Sequence, residues 1–158
     1  MLFRSIPYCV KRCGYCDFNT YTPAELRDGG TLEGVSEGFI DSLIAEVTFA
    51  ARTQTTTIPT IFFGGGTPSL MPAQELGRVI DLLKQRWEFA PNIEVTMECN
   101  PDTLTLQSLE EYRAIGINRI SMGMQSANTN VLKVLDRTHN PGNVAKSVDN
   151  ARKAGFDN

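Results

Sequence analysis

Nothing in the chain approaches the roughly 20 consecutive apolar residues that a helix needs to cross a bilayer. The opening Met1-Leu2-Phe3-Arg4-Ser5-Ile6 also lacks the charged start and long apolar run of a secretory signal. Both absences point to a cytoplasmic protein without a transmembrane segment. Basic charge is not in excess either. The 15 Lys and Arg face 18 Asp and Glu, a net charge of −3, so no nucleic-acid partner is expected. Cysteine is scarce at four residues, and histidine scarcer at one. Three of the cysteines crowd into eight residues, which is no disulfide framework. In a reducing compartment such crowding marks a metal or redox site.

What is present is an ordinary globular composition, 41% hydrophobic and 21% charged, in which β-rich runs alternate with helical stripes. Leu2–Ile6 reads as a first strand, followed by the cysteine loop and a Pro/Gly-rich segment to Gly34. Residues 36–52 predict a helix, because Phe39, Ile40, Leu43, Ile44 and Val47 share one face. Residues 60–63 predict a second strand that ends in Gly64-Gly65-Gly66. Pro72 suits the first position of the next helix, whose stripe is Leu76, Val79, Ile80, Leu83 and Trp87. Residues 93–97 make a third strand. Thr105 then caps a helix with Leu106, Leu109 and Tyr112 inward and Gly116 as terminator. Arg119–Met122 is a fourth strand, residues 131–135 a short helix, and Asn140-Pro141 opens the last helix, stopped at Gly155.

Strand and helix alternating in this way predict an α/β fold, a parallel sheet with right-handed helical crossovers. About four βα units cannot close a barrel of six or eight. Residues 1–158 are therefore expected to be the front part of a longer barrel domain, with the remaining barrel and a C-terminal domain absent.

Cys9, Cys13 and Cys16 have the spacing C-x3-C-x2-C. Thiolates are the preferred ligands of iron–sulfur clusters. Three on one short loop can each reach a different iron of a [4Fe–4S] cubane, with Gly14 permitting the turn between the last two. The fourth iron is then left open, and can bind a small molecule through amino and carboxylate groups. Two blander readings remain. One is a structural zinc site completed by His139 or Cys99, although such sites usually pair two C-x2-C units. The other is inert buried thiols. Cys99 follows Glu98 on a strand, points to the opposite face, and suits a small buried hydrophobe.

The stretch Ile6-Pro7-Tyr8-Cys9 through Cys16-Asp17-Phe18-Asn19 resembles the start of the radical S-adenosylmethionine (radical SAM) family. More narrowly, the chain resembles the branch that holds oxygen-independent coproporphyrinogen III oxidases and their haem-chaperone relatives. Four further motifs match in order and spacing: Gly64-Gly65-Gly66-Thr67-Pro68-Ser69, Glu98-Cys99-Asn100-Pro101, Ser121-Met122-Gly123-Met124-Gln125-Ser126 and Arg137-Thr138-His139. The resemblance implies a partial (βα) barrel, a cluster on Cys9, Cys13 and Cys16, and S-adenosylmethionine on the open iron. Each later motif lies at or just past the C-terminal end of a predicted strand, the edge where such barrels place their sites.

Residue by residue, the resemblance implies that Gly65, Gly66 and Thr67 meet the methionyl amino group and that Tyr15 lies against the adenine. It gives Glu98 and Gln125 hydrogen bonds to the ligand, and Arg137 its carboxylate. Taken alone, the glycines read as a turn, Glu98 as a loop acid, Arg137 as a surface ion-pair partner and His139 as support for the last helix. Phe3 falls among the ligand-contact positions, but without the hydroxyl of the family's tyrosine, and Ser5 stands where the family commonly has histidine.

The chemistry implied is reductive cleavage of S-adenosylmethionine to a 5′-deoxyadenosyl radical that abstracts hydrogen, with electrons from a donor protein. Two functions follow from the branch. One is a haem chaperone that binds haem and transfers it to apo-haemoproteins. The other is oxidative decarboxylation of a porphyrinogen. The oxidases typically carry a further cysteine two positions after the third ligand, where this chain has Phe18, which favours the chaperone.

Overall fold

The computed structural model describes residues 1–26, 32–137 and 139–158, and of residues 32–37 the backbone alone. The parts of the expected readings that fall on residues 27–31 and on Thr138 lie outside the described residues. The elements are β1 (Leu2–Ile6), α1 (Leu32–Ala50), β2 (Ile58–Gly65), α2 (Ala73–Arg86), β3 (Phe89–Cys99), α3 (Leu106–Ala114), β4 (Arg119–Met122), α4 (Thr129–Val134) and α5 (Pro141–Lys153). Among the described residues the sheet has four strands in the order β1-β2-β3-β4, each pair parallel. Sequential parallel order with helical crossovers is the front of a (βα) barrel, as the alternation of elements implies.

Side chains alternate across a strand, so the register sorts the sheet into two faces. One face holds Ile6, Ile61, Phe63, Val95 and Met97, none more than 2% exposed. Helices α1 and α2 cover it with Ile40, Leu43, Val47, Leu76, Val79, Ile80 and Leu83. Each of these side chains contributes about 1.5–3 kcal/mol when taken fully from water. The other face carries the in-register rows Phe3, Phe62, Thr96, Arg119 and Ser5, Gly64, Glu98, Ser121. There Phe3 is 47% exposed and stacks on Phe62 at 5.8 Å between ring centroids. Thr96 is buried on this face beneath Arg119 and Glu94, accepting from the first at 3.3 Å and donating to the second at 3.0 Å.

Several boundaries differ from those the sequence predicts. Helix α1 starts at Leu32, a turn before the expected Ser36, and carries Gly34 inside it rather than before it. Pro72 is the N-cap of α2 and Ala73 its first residue. Leu106, expected inward, is 36% exposed at the first position of α3, while Leu109 and Tyr112 are buried. The stripe of α3 reaches the core from Leu109 onward. Thr105 caps as expected, in a reciprocal box with Ser108.

Tyr112 braces the loop that follows β2. Its hydroxyl donates to the carbonyls of Ser69 and Met71 at 3.1 and 3.0 Å, and burial pushes its pKa upward. Ser69 bonds Thr103 at 2.6 Å and accepts the Asn100 N–H at 3.2 Å. The loops after β2 and β3 are thereby tied together at one sheet edge.

Candidate cluster and ligand site

The cysteine loop is closed at its base by two backbone bonds, Tyr21 N–H to the Pro7 carbonyl at 2.7 Å and Cys9 N–H to the Tyr21 carbonyl at 3.0 Å. Arg12 buckles it from outside, donating to the Thr20 hydroxyl and carbonyl and to Glu25. The Thr22 N–H and hydroxyl on the Glu25 carboxylate hold that group below its ordinary pKa. At the tip, Cys16 N–H donates to the Cys13 carbonyl at 3.0 Å, turning the chain so that both thiols face inward. Cys9 is buried, and burial raises its thiol pKa against hydrogen bonds from Thr67 and Thr20 that lower it.

The glycine loop docks on this one. Gly66 N–H donates to the Ile6 carbonyl and Thr67 N–H to the Tyr8 carbonyl, each at 2.8 Å, while the Thr67 hydroxyl reaches Cys9 Sγ at 3.7 Å. Gly65, at φ +105°, gives its N–H to Glu98 Oε2 at 3.2 Å. With these three amides engaged, the glycine edge presents a ligand with acceptors rather than donors.

A cavity of about 400 Å³ opens between the loops. It is lined by Cys9, Cys13, Tyr15 and Cys16 on one wall, and by Gly65, Gly66, Thr67, Glu98, Gln125 and Arg137 on the others. Phe3 is not in this set; it lies one residue row below, against Phe62. Gln125, at φ 58°, stands three residues past β4 rather than at its end. Tyr15 is half exposed, and burial of the rest of its ring is the largest of the effects that raise its pKa.

Sequence reasoning assigns no role to Lys11, Asn100, Ser121 and Asp136, which also line the cavity. Asp136 is left-handed, at φ 54°, and pairs with Lys11 at 3.1 Å; next to it the Leu135 carbonyl accepts the Gly14 N–H at 3.1 Å. The one available signal is that aspartate tolerates a left-handed helix end.

Cys99 also borders the cavity, from the end of β3 rather than from the cysteine loop. It is 5% exposed, its Sγ donates to the Met97 carbonyl at 3.6 Å, and burial pushes its thiol up to about 12. His139 is also buried, and its ring nitrogens have no hydrogen-bond partner among the described residues. Burial, then the nearby Arg137 charge, lowers its pKa. Among the described residues no three His, Cys, Asp or Glu side chains gather around a single ion.

Over residues 3–158 the chain matches the sequence profile of the radical SAM superfamily. The chain belongs to that superfamily. It is 40% identical over 157 residues to the heme chaperone HemW of Mycobacterium tuberculosis, and 34% identical over 155 residues to that of Escherichia coli. Both matches cover 98% of this chain and 39% of the relative, so the chain spans about two fifths of their length. The solved coproporphyrinogen III oxidase HemN of Escherichia coli, a radical SAM enzyme, superposes with a TM-score of 0.84 at 27% identity. That superposition covers 99% of this chain and 35% of the enzyme. Membership of the superfamily implies a [4Fe–4S] cluster and S-adenosylmethionine. No helix among the described residues is long and apolar enough to cross a membrane.

Proposed function

We propose that Cys9, Cys13 and Cys16 hold a [4Fe–4S] cluster with one iron open to S-adenosylmethionine, and that the complete protein binds haem and passes it to apo-haemoproteins. One observation supports the cluster reading above the others: three thiols of one loop share a cavity wall, while the fourth cysteine, which borders the same cavity from β3, is buried with its thiol on a strand carbonyl. A lone zinc ion would want four ligands drawn to about 2.0–2.3 Å around one point. The dispersed thiols suit a cubane, whose irons each take one.

When bound, such a cluster supplies the electron that cleaves the sulfonium of S-adenosylmethionine. The chain's own residues supply position and shielding. The acceptor-rich edge at Gly65, Gly66 and Thr67 suits the methionyl ammonium. Glu98 is held in place by the Gly65 amide and turns its remaining oxygen toward a hydroxyl or ammonium. Gln125 offers both a donor and an acceptor. Tyr15 gives an aromatic wall that stacks with adenine and keeps water from the cluster. Phe3, packed on Phe62, serves the inner sheet face rather than a polar contact.

The chaperone reading is supported by identity to proteins of that name and by Phe18, 62% exposed at the cavity mouth. The second reading, oxidative decarboxylation of a porphyrinogen, is supported by the superposition on the oxidase. On either reading an electron-donor protein is a partner, and a cytoplasmic location agrees with both.

An anaerobic assay of the complete protein separates them. With reconstituted cluster, S-adenosylmethionine and a reductant, it is expected to retain haem through gel filtration and leave coproporphyrinogen III undecarboxylated. Efficient vinyl formation, followed by mass spectrometry, would overturn the chaperone reading.

A further inference from the structure

Arg137 follows the short helix α4, and its guanidinium is fixed at two points. Nη2 donates to the Gly123 carbonyl at 2.6 Å, and Gly123 in turn gives its N–H to the Cys99 carbonyl at 3.1 Å, so the anchor belongs to the sheet edge. Nη1 donates to Cys13 Sγ at 3.3 Å. Nε is buried and has no partner among the described residues. The group is planar and always charged, so holding one end of its fork sets where the other end points.

Resting on the cluster reading above, we propose that Arg137 is a positioning residue that sets the reduction potential of the cluster through its bond to Cys13. Hydrogen bonds to ligand sulfurs are among the levers that tune iron–sulfur potentials. An N–H directed at a thiolate draws off negative charge, and a full positive charge beside it does the same at longer range. Both favour the reduced cluster, which carries one more electron, and so raise the potential. The orphan Nε gives the role a second side. A buried donor without a partner is costly, and an acceptor entering the cavity relieves that cost through the guanidinium that touches Cys13.

The test uses the complete protein with its cluster rebuilt anaerobically and no S-adenosylmethionine present. The readout is a redox titration followed by electron paramagnetic resonance of the reduced cluster. For Arg137→Gln, at the potential where the parent is half reduced, the reduced-to-oxidised ratio should fall about 3- to 10-fold. That is a midpoint roughly 30–60 mV more negative for a one-electron couple. Arg137→Lys keeps the charge but loses the fork, and should fall between parent and Gln variant; it also serves if the Gln variant loses its iron. A residue that acts only by packing would leave the midpoint unmoved. Either variant holding a full cluster at the parent's midpoint would overturn the inference alone. A parent protein that takes up no iron would overturn the cluster reading and this inference with it.

Discussion

Cys13→Ala is expected to empty the site: iron should fall from about four per chain to below about one after anaerobic reconstitution, and the broad absorption near roughly 400 nm should vanish. The size of the effect follows from the absence of a substitute. Cys13 sits at the tip of the loop, its thiol turned inward by the Cys16-to-Cys13 backbone bond and held by Arg137. Removing it leaves two thiols, which cannot anchor three corners of a cubane. Cys99 cannot take its place. It borders the cavity from β3 but is 5% exposed, its Sγ donates to the Met97 carbonyl, and burial holds its proton up to about 12. His139 is buried as well, before the start of α5. Cys99→Ala should therefore keep the parent's iron content. Iron and acid-labile sulfide assays on the two variants check the pair together. Iron retained in Cys13→Ala would remove that residue from the ligand set.

The second large effect is expected at Gly66. A Cβ there would meet the Tyr8 carbonyl oxygen at 2.5 Å, the Ile6 carbonyl oxygen at 2.8 Å and the Tyr8 carbonyl carbon at 3.0 Å. All three obstacles are backbone, so no side chain can swing aside. Gly66→Ala must force β1 and the root of the cysteine loop away from the glycine loop. The two 2.8 Å bonds that join them, from Gly66 to Ile6 and from Thr67 to Tyr8, are then stretched or lost. Two weakened backbone bonds and a local rearrangement correspond to about 2–4 kcal/mol of lost stability. Urea unfolding of the complete protein measures it. Gly38→Ala is the matched control: the glycine is exposed inside α1 with nothing within 4 Å of an added Cβ. Alanine there should stabilise by up to about 1 kcal/mol. Equal midpoints for the two variants would contradict the account of the loop junction.

How far the sequence carried the fold depends on the element. Strands β1 and β4 occupy the residues their β-rich runs predict, because each is short and bounded by residues that leave the pattern. Strand β2 is longer than expected at its end. Gly64 and Gly65 read as a stop, yet the pairing Ser5–Gly64 and Ile6–Gly65 keeps both in the sheet, Gly65 at a positive φ open to glycine. Strand β3 is longer at its start for a different reason. Phe89 pairs with Ile58 across a register shift, past Pro91, and a proline there lowers any expectation of strand. Gly34 similarly hid the true start of α1, because a glycine lowers the expectation of helix.

The site was legible where it is local. Cys9, Cys13 and Cys16 stand out by spacing, and the glycine and Glu98 motifs by falling at strand ends. What joins them is not local. The Gly14–Leu135 and Lys11–Asp136 contacts link residues more than a hundred positions apart and depend on one left-handed aspartate. The Arg137–Cys13 bond is of the same kind. A sequence motif marks the arginine, but only the folded loops decide which atom it touches. Phe3 shows the converse, a motif position whose aromatic ring packs on its neighbour and leaves the cavity to others.

The most direct measurement is magnetic resonance of the reduced cluster with S-adenosylmethionine labelled with ¹⁵N at its amino group. Hyperfine coupling of that nitrogen to the cluster is the predicted result, since a cluster held by the three loop thiols alone would leave one iron free for the ligand. A fourth cysteinyl sulfur on that iron, or a protein that binds no iron at all, would contradict it.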